Sequence, residues 1–413
     1  MPAATDRAPS MPRTLLLALM WLAAFNCRAP LVATGPLLPL VLRDLHLSAT
    51  AAAGLTALPL LLMAALSVPA GLLNDRVGPV PVLLLSQLGI AVAGGLRGLL
   101  TAPVVLLVLS ALLGAGISLS QPALARLARA VPGGSAGATS VYATGMLAGA
   151  LAAVSTSATV LLAALHTWQA VFLFWGVLGL APALGWAVLT RDGLPGAPPS
   201  AANRPAGPGW VGRGLWPVAV AFGAQALVFY GLVTWLPEYY VSRGWSVARA
   251  SLPISALSLC SIPAALLTPR LVHGARGYRR GLVLAGVVTT VGVLGVLGPA
   301  AGAILWGSLI GIGTSLAFTL CLAAAAELAP VERVGAATGA VLTAGQLAAV
   351  AGPLVLGVLR DATGGFTAGW VGLVAVSLGL GAAGLATPAR PAPSVPSPAS
   401  GEARSARAAW SRW

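Results

Sequence analysis

Two arginines, Arg28 and Arg97, stand inside long apolar runs, where an ionised side chain is rare. Arginine at the centre of a membrane helix costs ~2.5–3.5 kcal/mol on insertion scales. Arg28 lies about fourteen residues into its run, close to the midplane at a rise of ~1.5 Å per residue. From there its guanidinium cannot easily reach lipid headgroups, so it must face a wet cavity or a partner. No acidic residue sits at comparable depth in any run. That leaves the solute as the counter-charge, and a planar fork of donors suits a small oxyanion or a delocalised pseudohalide. The competing role is a hydrogen bond to carbonyls freed by Pro30. Arg97 is near the outer end of the third run, where snorkelling is easy; a solute contact is the rival reading.

Uncharged polar residues at similar depth complete the candidate site. Gln225 occupies the place in the seventh run that Arg28 holds in the first, and Tyr230 follows it. Gln121 precedes Pro122, and Gln346 sits in the eleventh run. Each can bind a solute or a neighbouring helix. Asn26, two residues from Arg28, faces elsewhere on a regular helix. Cys27, Cys260 and Cys321 lie in apolar runs without metal-ligand spacing, and His46, His166 and His273 are scattered over run ends and loops. No nucleophile–base grouping stands near an interface. We therefore expect no metal, no cofactor and no enzymatic role.

The elements that must position these residues are transmembrane helices. The 413 residues are 58% hydrophobic and 8% charged, whereas a soluble domain carries about 25% charged residues. The 51 glycines suit close helix packing in lipid. A span needs ~20 apolar residues. That ruler predicts twelve spans, at 14–40, 48–73, 80–100, 103–125, 136–164, 167–190, 214–238, 248–271, 281–299, 301–325, 335–359 and 366–387. The first is too long for a signal-peptide core of ~7–15 residues. The runs are also continuous and too long for barrel strands.

The net charge of +14 comes entirely from arginine, in short loops rather than one basic domain. That distribution argues against nucleic acid. With twelve spans, only Arg43, Arg243, Arg249 and Arg360 fall on one side; the other loop and tail arginines fall on the side of the termini. The positive-inside bias makes that side, with both termini, cytoplasmic.

Residues 191–213, rich in Pro and Gly, read as a linker between two six-span halves, 14–190 and 214–387. Residues 1–13 form a short cytoplasmic start. Residues 388–413 read as a disordered basic tail, with membrane lipid as its possible contact. The halves resemble each other weakly: Phe25–Arg28 aligns with Phe222–Gln225, and Gly145 with Gly345. Repeated halves are the architecture of alternating-access carriers, with the solute between them near the midplane.

The loop Gly71-Leu-Leu-Asn-Asp-Arg-Val-Gly78 follows the second span. It resembles the cytoplasmic signature of the major facilitator superfamily, matching at Gly71, Leu73, Asp75, Arg76 and Gly78; Pro79 and Val80 replace the usual basic pair. An acidic group at a span end can pair with the neighbouring half and must release it when the halves rock. The stretches Phe25–Pro39, Leu55–Gly71, Phe222–Tyr240 and Gly345–Gly365 are similar to the cyanate permease and 2-nitroimidazole transporter branch. The resemblance implies a twelve-helix fold, a bacterial inner-membrane location and transport of a small solute; the residue types and depths already read make Arg28, Arg97, Gln121, Gln225, Tyr230 and Gln346 the expected solute contacts. An anion carrier, acting as a monomer, is the leading expectation. Efflux of a neutral or weakly acidic nitroimidazole-like compound is the alternative. A non-transporting receptor or scaffold is a third, although such proteins usually gain a soluble domain.

Overall fold

The computed structural model describes residues 12–130, 135–191, 215–271, 274–328 and 334–387. The predicted linker, apart from Arg191, and the predicted tail lie outside them, as do His273 and Arg333. Twelve helices within the described residues are long and apolar enough to cross a membrane. They are Arg13–Leu45, Ala49–Val77, Pro79–Leu96, Pro103–Ala128, Ala138–Leu165, Trp168–Val188, Trp216–Ser242, Val247–Thr268, Arg276–Leu297, Ala300–Ala325, Val341–Thr363 and Thr367–Ala386. The chain is an all-α integral membrane protein.

Several helices outrun the apolar ruler. The first continues to Leu45 through Arg43 and Asp44, and the ninth starts at Arg276. Helix propagation costs little once a turn exists, so polar ends continue the ladder into the headgroup zone. His46 and His166 then end the first and fifth spans in left-handed conformation (φ 49° and 65°). Gly78 does the same job alone between the second and third spans, at φ 95°, where a side chain would be strained.

Arg13 and Ala386 share one end of the bundle, called here the terminal end; the other is the far end. Packing repeats at an offset of six spans. The first packs on the fifth and the seventh on the eleventh; the third packs on the sixth and the ninth on the twelfth. Gly145 lies against the backbone carbonyl of Trp21, and Gly345 against the ring of Phe222. A Cβ would collide with backbone at Gly145 and would have to displace the Phe222 ring at Gly345, so both aligned glycines permit a close approach.

The two sets of six meet through the first and seventh, second and eleventh, and fifth and eighth spans. Gly35 sits directly on the Val233 carbonyl. The first span breaks at Ala33, between helices Arg13–Val32 and Thr34–Leu45. Pro30, Pro36 and Pro39 crowd this break, and each removes one ladder hydrogen bond.

Candidate solute site and gates

Arg28 lies one residue from the centre of the Arg13–Leu45 span and is half-buried. Its Nη1 donates to the Tyr230 hydroxyl at 3.0 Å, across the two halves. Guanidinium carries five N–H donors, and this is the one hydrogen bond it makes among the described residues. The two ion pairs found there, Arg126–Asp75 and Arg360–Glu238, involve other arginines. The Tyr230 hydroxyl accepts from Arg28, which leaves its own proton to donate. Together the two side chains therefore present donors and no anionic acceptor. Tyr230 packs on an apolar cluster that includes Leu31, Leu60, Met63, Ala226 and Ala349. Such walls keep the local dielectric low and strengthen any charge-assisted bond formed there.

The other expected residues are dispersed. Gln225 is buried at 6% exposure, one and a half turns before Tyr230 on the same helix. Gln121 is exposed and Gln346 half-buried. Among the described residues, none of the three bonds to Arg28 or Tyr230.

Arg97 does not snorkel. It is 1% exposed, and its Nη2 donates to the Pro30 carbonyl at 2.7 Å while Nη1 donates to Thr34 Oγ1 at 3.2 Å. Its Cζ lies 4.5 Å from the centre of the Phe172 ring. The reason is length. The third span has 18 residues against 33 in the first, so its end lies level with Pro30–Thr34 rather than with headgroups. The carbonyl contact considered for Arg28 near Pro30 is thus made by Arg97.

A buried polar chain joins the first, third and fourth spans. Asn26 Nδ2 donates to Gln87 Oε1 at 2.8 Å, Gln87 Nε2 donates to Ser120 Oγ at 3.0 Å, and Ser86 bonds both Ser120 and the Gly116 carbonyl. This network was not anticipated, although a lone Gln87 inside the third apolar run was a signal for it. It fixes the helix face opposite to the one Arg28 uses. Gln87→Leu should strand Asn26 and lower stability by about 1–2 kcal/mol. Thermal unfolding in detergent measures this; an unchanged midpoint would show that the chain carries no structural weight.

The far end is closed. Asp361 of the eleventh span accepts from the Ala49 and Thr50 backbone N–H groups, both at 2.8 Å, and from Thr50 Oγ1 at 2.6 Å. A carboxylate thus caps the first turn of the second span, where charge and dipole attract. Next to it, Arg360 donates to Glu238 at 2.7 Å and lies over the Phe366 ring, 4.6 Å from its centroid. Outside this closure a vestibule of about 590 Å³ opens, lined in part by Arg43, Ser48, Glu238, Arg360 and Asp361.

Hydrogen bonds join the halves at mid-depth and toward the far end: Arg28–Tyr230, the Asp361 cap, and Ser255 Oγ to the Val154 carbonyl. In the signature loop, Asp75 pairs with Arg126 of its own half at 3.4 Å, and Arg126 also binds the Asn74 carbonyl at 2.8 Å. Arg76 is exposed, and neither Gly71 nor Gly78 has an atom within reach of an added Cβ. Among the described residues the Asp75 carboxylate thus has its partner within its own half.

Twelve spans in a six-span repeat, with a polar pair at their shared midplane and a closed gate at one end, define a polytopic carrier. Residues 18–307 match the family model of the Major Facilitator Superfamily, and the chain belongs to that superfamily. It is 32% identical over 375 residues to the uncharacterized transporter YycB of Bacillus subtilis, covering 87% of this chain and 90% of that one. It is 28% identical to the 2-nitroimidazole transporter of Escherichia coli (90% and 95% covered) and 26% identical to the cyanate transport protein CynX of Escherichia coli (88% and 96%). Among solved structures, the nucleoside transporter NupG (D323A mutant) superposes with TM-score 0.74 at 12% identity, covering 90% of this chain and 99% of that one. A bacterial homologue of the human lysosomal transporter Spinster, inward-facing and unoccupied, gives 0.69 at 17% identity, covering 92% and 94%. These structural likenesses establish the fold. The chain is a membrane transporter of a small solute.

Proposed function

We propose that this transporter carries a small monovalent anion of the cyanate, nitrate or short-carboxylate type across the bacterial plasma (inner) membrane by alternating access. One observation carries the reading: Arg28 stands at mid-depth with a neutral phenol as its partner and no carboxylate in reach. A cation left unpaired in a low-dielectric interior is costly, and an anion bound between Arg28 and Tyr230 relieves that cost. The anion exchanges the Arg28–Tyr230 bond for two or more charge-assisted bonds, and it can do so only while both halves are near. Gln225, Gln121 and Gln346 offer further donors as the cavity changes shape.

On the positive-inside bias the terminal end, with both termini, is cytoplasmic. The Asp361 cap then closes the periplasmic side. Glu238 and Asp44 sit at the periplasmic ends and Asp75 and Glu327 at the cytoplasmic ends. Among the described residues no embedded carboxylate is placed to take a coupling proton, which favours facilitated or exchange transport.

A second reading follows from the name of the 28%-identical relative. Arg28 would then donate to the nitro group of an outgoing neutral compound. Proteoliposomes holding the wild-type protein separate the two. Saturable uptake of cyanate, nitrate, nitrite or formate supports the anion reading. Saturable flux of 2-nitroimidazole alone supports the second, and no saturable flux of any of them refutes both.

A further inference from the structure

The structure assigns Arg97 a positioning role: a guanidinium staple across the break in the first span that sets how closely Arg28 approaches Tyr230. The part of this inference that concerns solute affinity rests on the anion reading above.

The break needs outside support. The first span stops being a regular helix at Ala33, and three prolines within ten residues strip donors from its ladder. Arg97 places one prong on each side of it, on the Pro30 carbonyl before and on Thr34 Oγ1 after. The base of the staple is rigid. Arg97 caps the third-span helix, its guanidinium lies on Phe172, and the adjacent Gly98 touches the Gln169 carbonyl of the sixth span directly. A Cβ at residue 98 would also come within 2.9 Å of the Leu173 nitrogen, so the third and sixth spans are locked here.

Packing alone does not call for this residue. Arg97 is 1% exposed, its Nε has no hydrogen-bond partner, and no carboxylate pairs with it. A well-packed apolar side chain is usually as stable as a buried ionic group, or more so. What an apolar side chain cannot supply is a planar fork reaching two acceptors on opposite sides of a helix break. The segment it ties down, Thr34–Leu45, is the part of the first span that meets the other half, with Gly35 on Val233. Arg28 lies just before the break and faces that same helix. Loosening the staple lets Thr34–Leu45 follow the seventh span and lets the Arg28 segment drift away from Tyr230.

A cross-linking assay tests this without any solute. In a C27A/C260S/C321A background, R28C and Y230C are joined by a short bis-thiosulfonate. We expect R97Q and T34V each to slow cross-linking about fivefold, with R97K no better because an ammonium lacks the planar fork. T34V removes a single prong and decides the matter if R97Q fails to fold. Unchanged rates in T34V, or full recovery in R97K, would overturn the staple. In the protein with its native cysteines and Arg28, R97Q should raise the KM for the anion about tenfold with Vmax within twofold; a fall in Vmax at constant KM would instead mark Arg97 as purely structural. If the wild type moves no anion yet cross-linking responds as expected, the anion reading fails and the staple stands.

Discussion

Replacing Arg28 by glutamine is expected to cut saturable anion uptake about a hundredfold, the loss that follows from removing two charge-assisted hydrogen bonds worth ~1.5–3 kcal/mol each and discounting for what Gln restores. Arg28→Lys should keep the charge but lose the fork, and should fall between the two. The two membrane-embedded arginines differ in their partners. Arg97 has its acceptors supplied by Pro30 and Thr34, whereas Arg28 has the Tyr230 hydroxyl. Removing Arg28 therefore leaves no protein carboxylate stranded, and the folded protein should survive with its unfolding midpoint close to wild type. Initial-rate uptake into proteoliposomes, matched for inserted protein, measures the effect. Uptake within threefold of wild type would place Arg28 outside the solute path.

The second large effect concerns the far-end gate. Asp361→Asn should shift the population toward the state open at that end. The carboxylate offers two oxygens to three donors on Ala49 and Thr50. An amide offers one oxygen and sets an NH2 group against the rest. Losing the charge at a helix N-terminus costs ~0.3–1 kcal/mol, and an unsatisfied N–H adds ~1–3 kcal/mol. A bias near 2 kcal/mol moves a two-state equilibrium roughly thirtyfold. Ala53 is fully buried, in a place where the Cβ of a residue at 357 would lie 3.1 Å away. A53C should thus react with an impermeant maleimide from the far side about tenfold faster in the Asp361→Asn background. Equal rates would mean that the cap does not hold the gate.

Much of this architecture can be read from residue types because the bilayer punishes exceptions. Twelve runs with few charges can only be spans, and a single arginine at mid-depth must be answered by something. Arg28 was therefore legible from its position alone. Tyr230 was legible from the half-repeat, since it follows the counterpart of Arg28 in the seventh span. Burial depth in the protein was not. Arg97 reads as an outer-end residue by counting along its own run, but the short third span leaves it level with Pro30, where Phe172 covers it. The Asn26–Gln87–Ser120 chain needs three helices to meet at one height, and apolar periodicity does not report relative height. The Asp361 cap depends on which helix end docks on which, a matter of tertiary packing. Nothing in the residue types singles out Asp361, while the Asp75 loop draws attention through its resemblance to a family signature.

These residues divide transport into parts with separate physical causes. The Arg28–Tyr230 pair spans the halves at the midplane, and on the proposed reading it is neutralised by cargo. The Asp361 cap closes one end through a helix terminus, and the Asp75–Arg126 pair lies within one half. On the proposed reading a bound anion draws both halves toward the midplane, and binding thereby promotes the rocking of the halves.

Flux mixes the site with the cycle, whereas equilibrium binding isolates the site. The decisive measurement is therefore binding of labelled cyanate to purified protein in detergent, for wild type and Arg28→Gln side by side, with nitrate and 2-nitroimidazole as competitors. If Arg28 holds the anion, binding is saturable at one site per chain, competed by nitrate, untouched by 2-nitroimidazole and lost in Arg28→Gln. Equal binding by both proteins, or competition by 2-nitroimidazole alone, would contradict it.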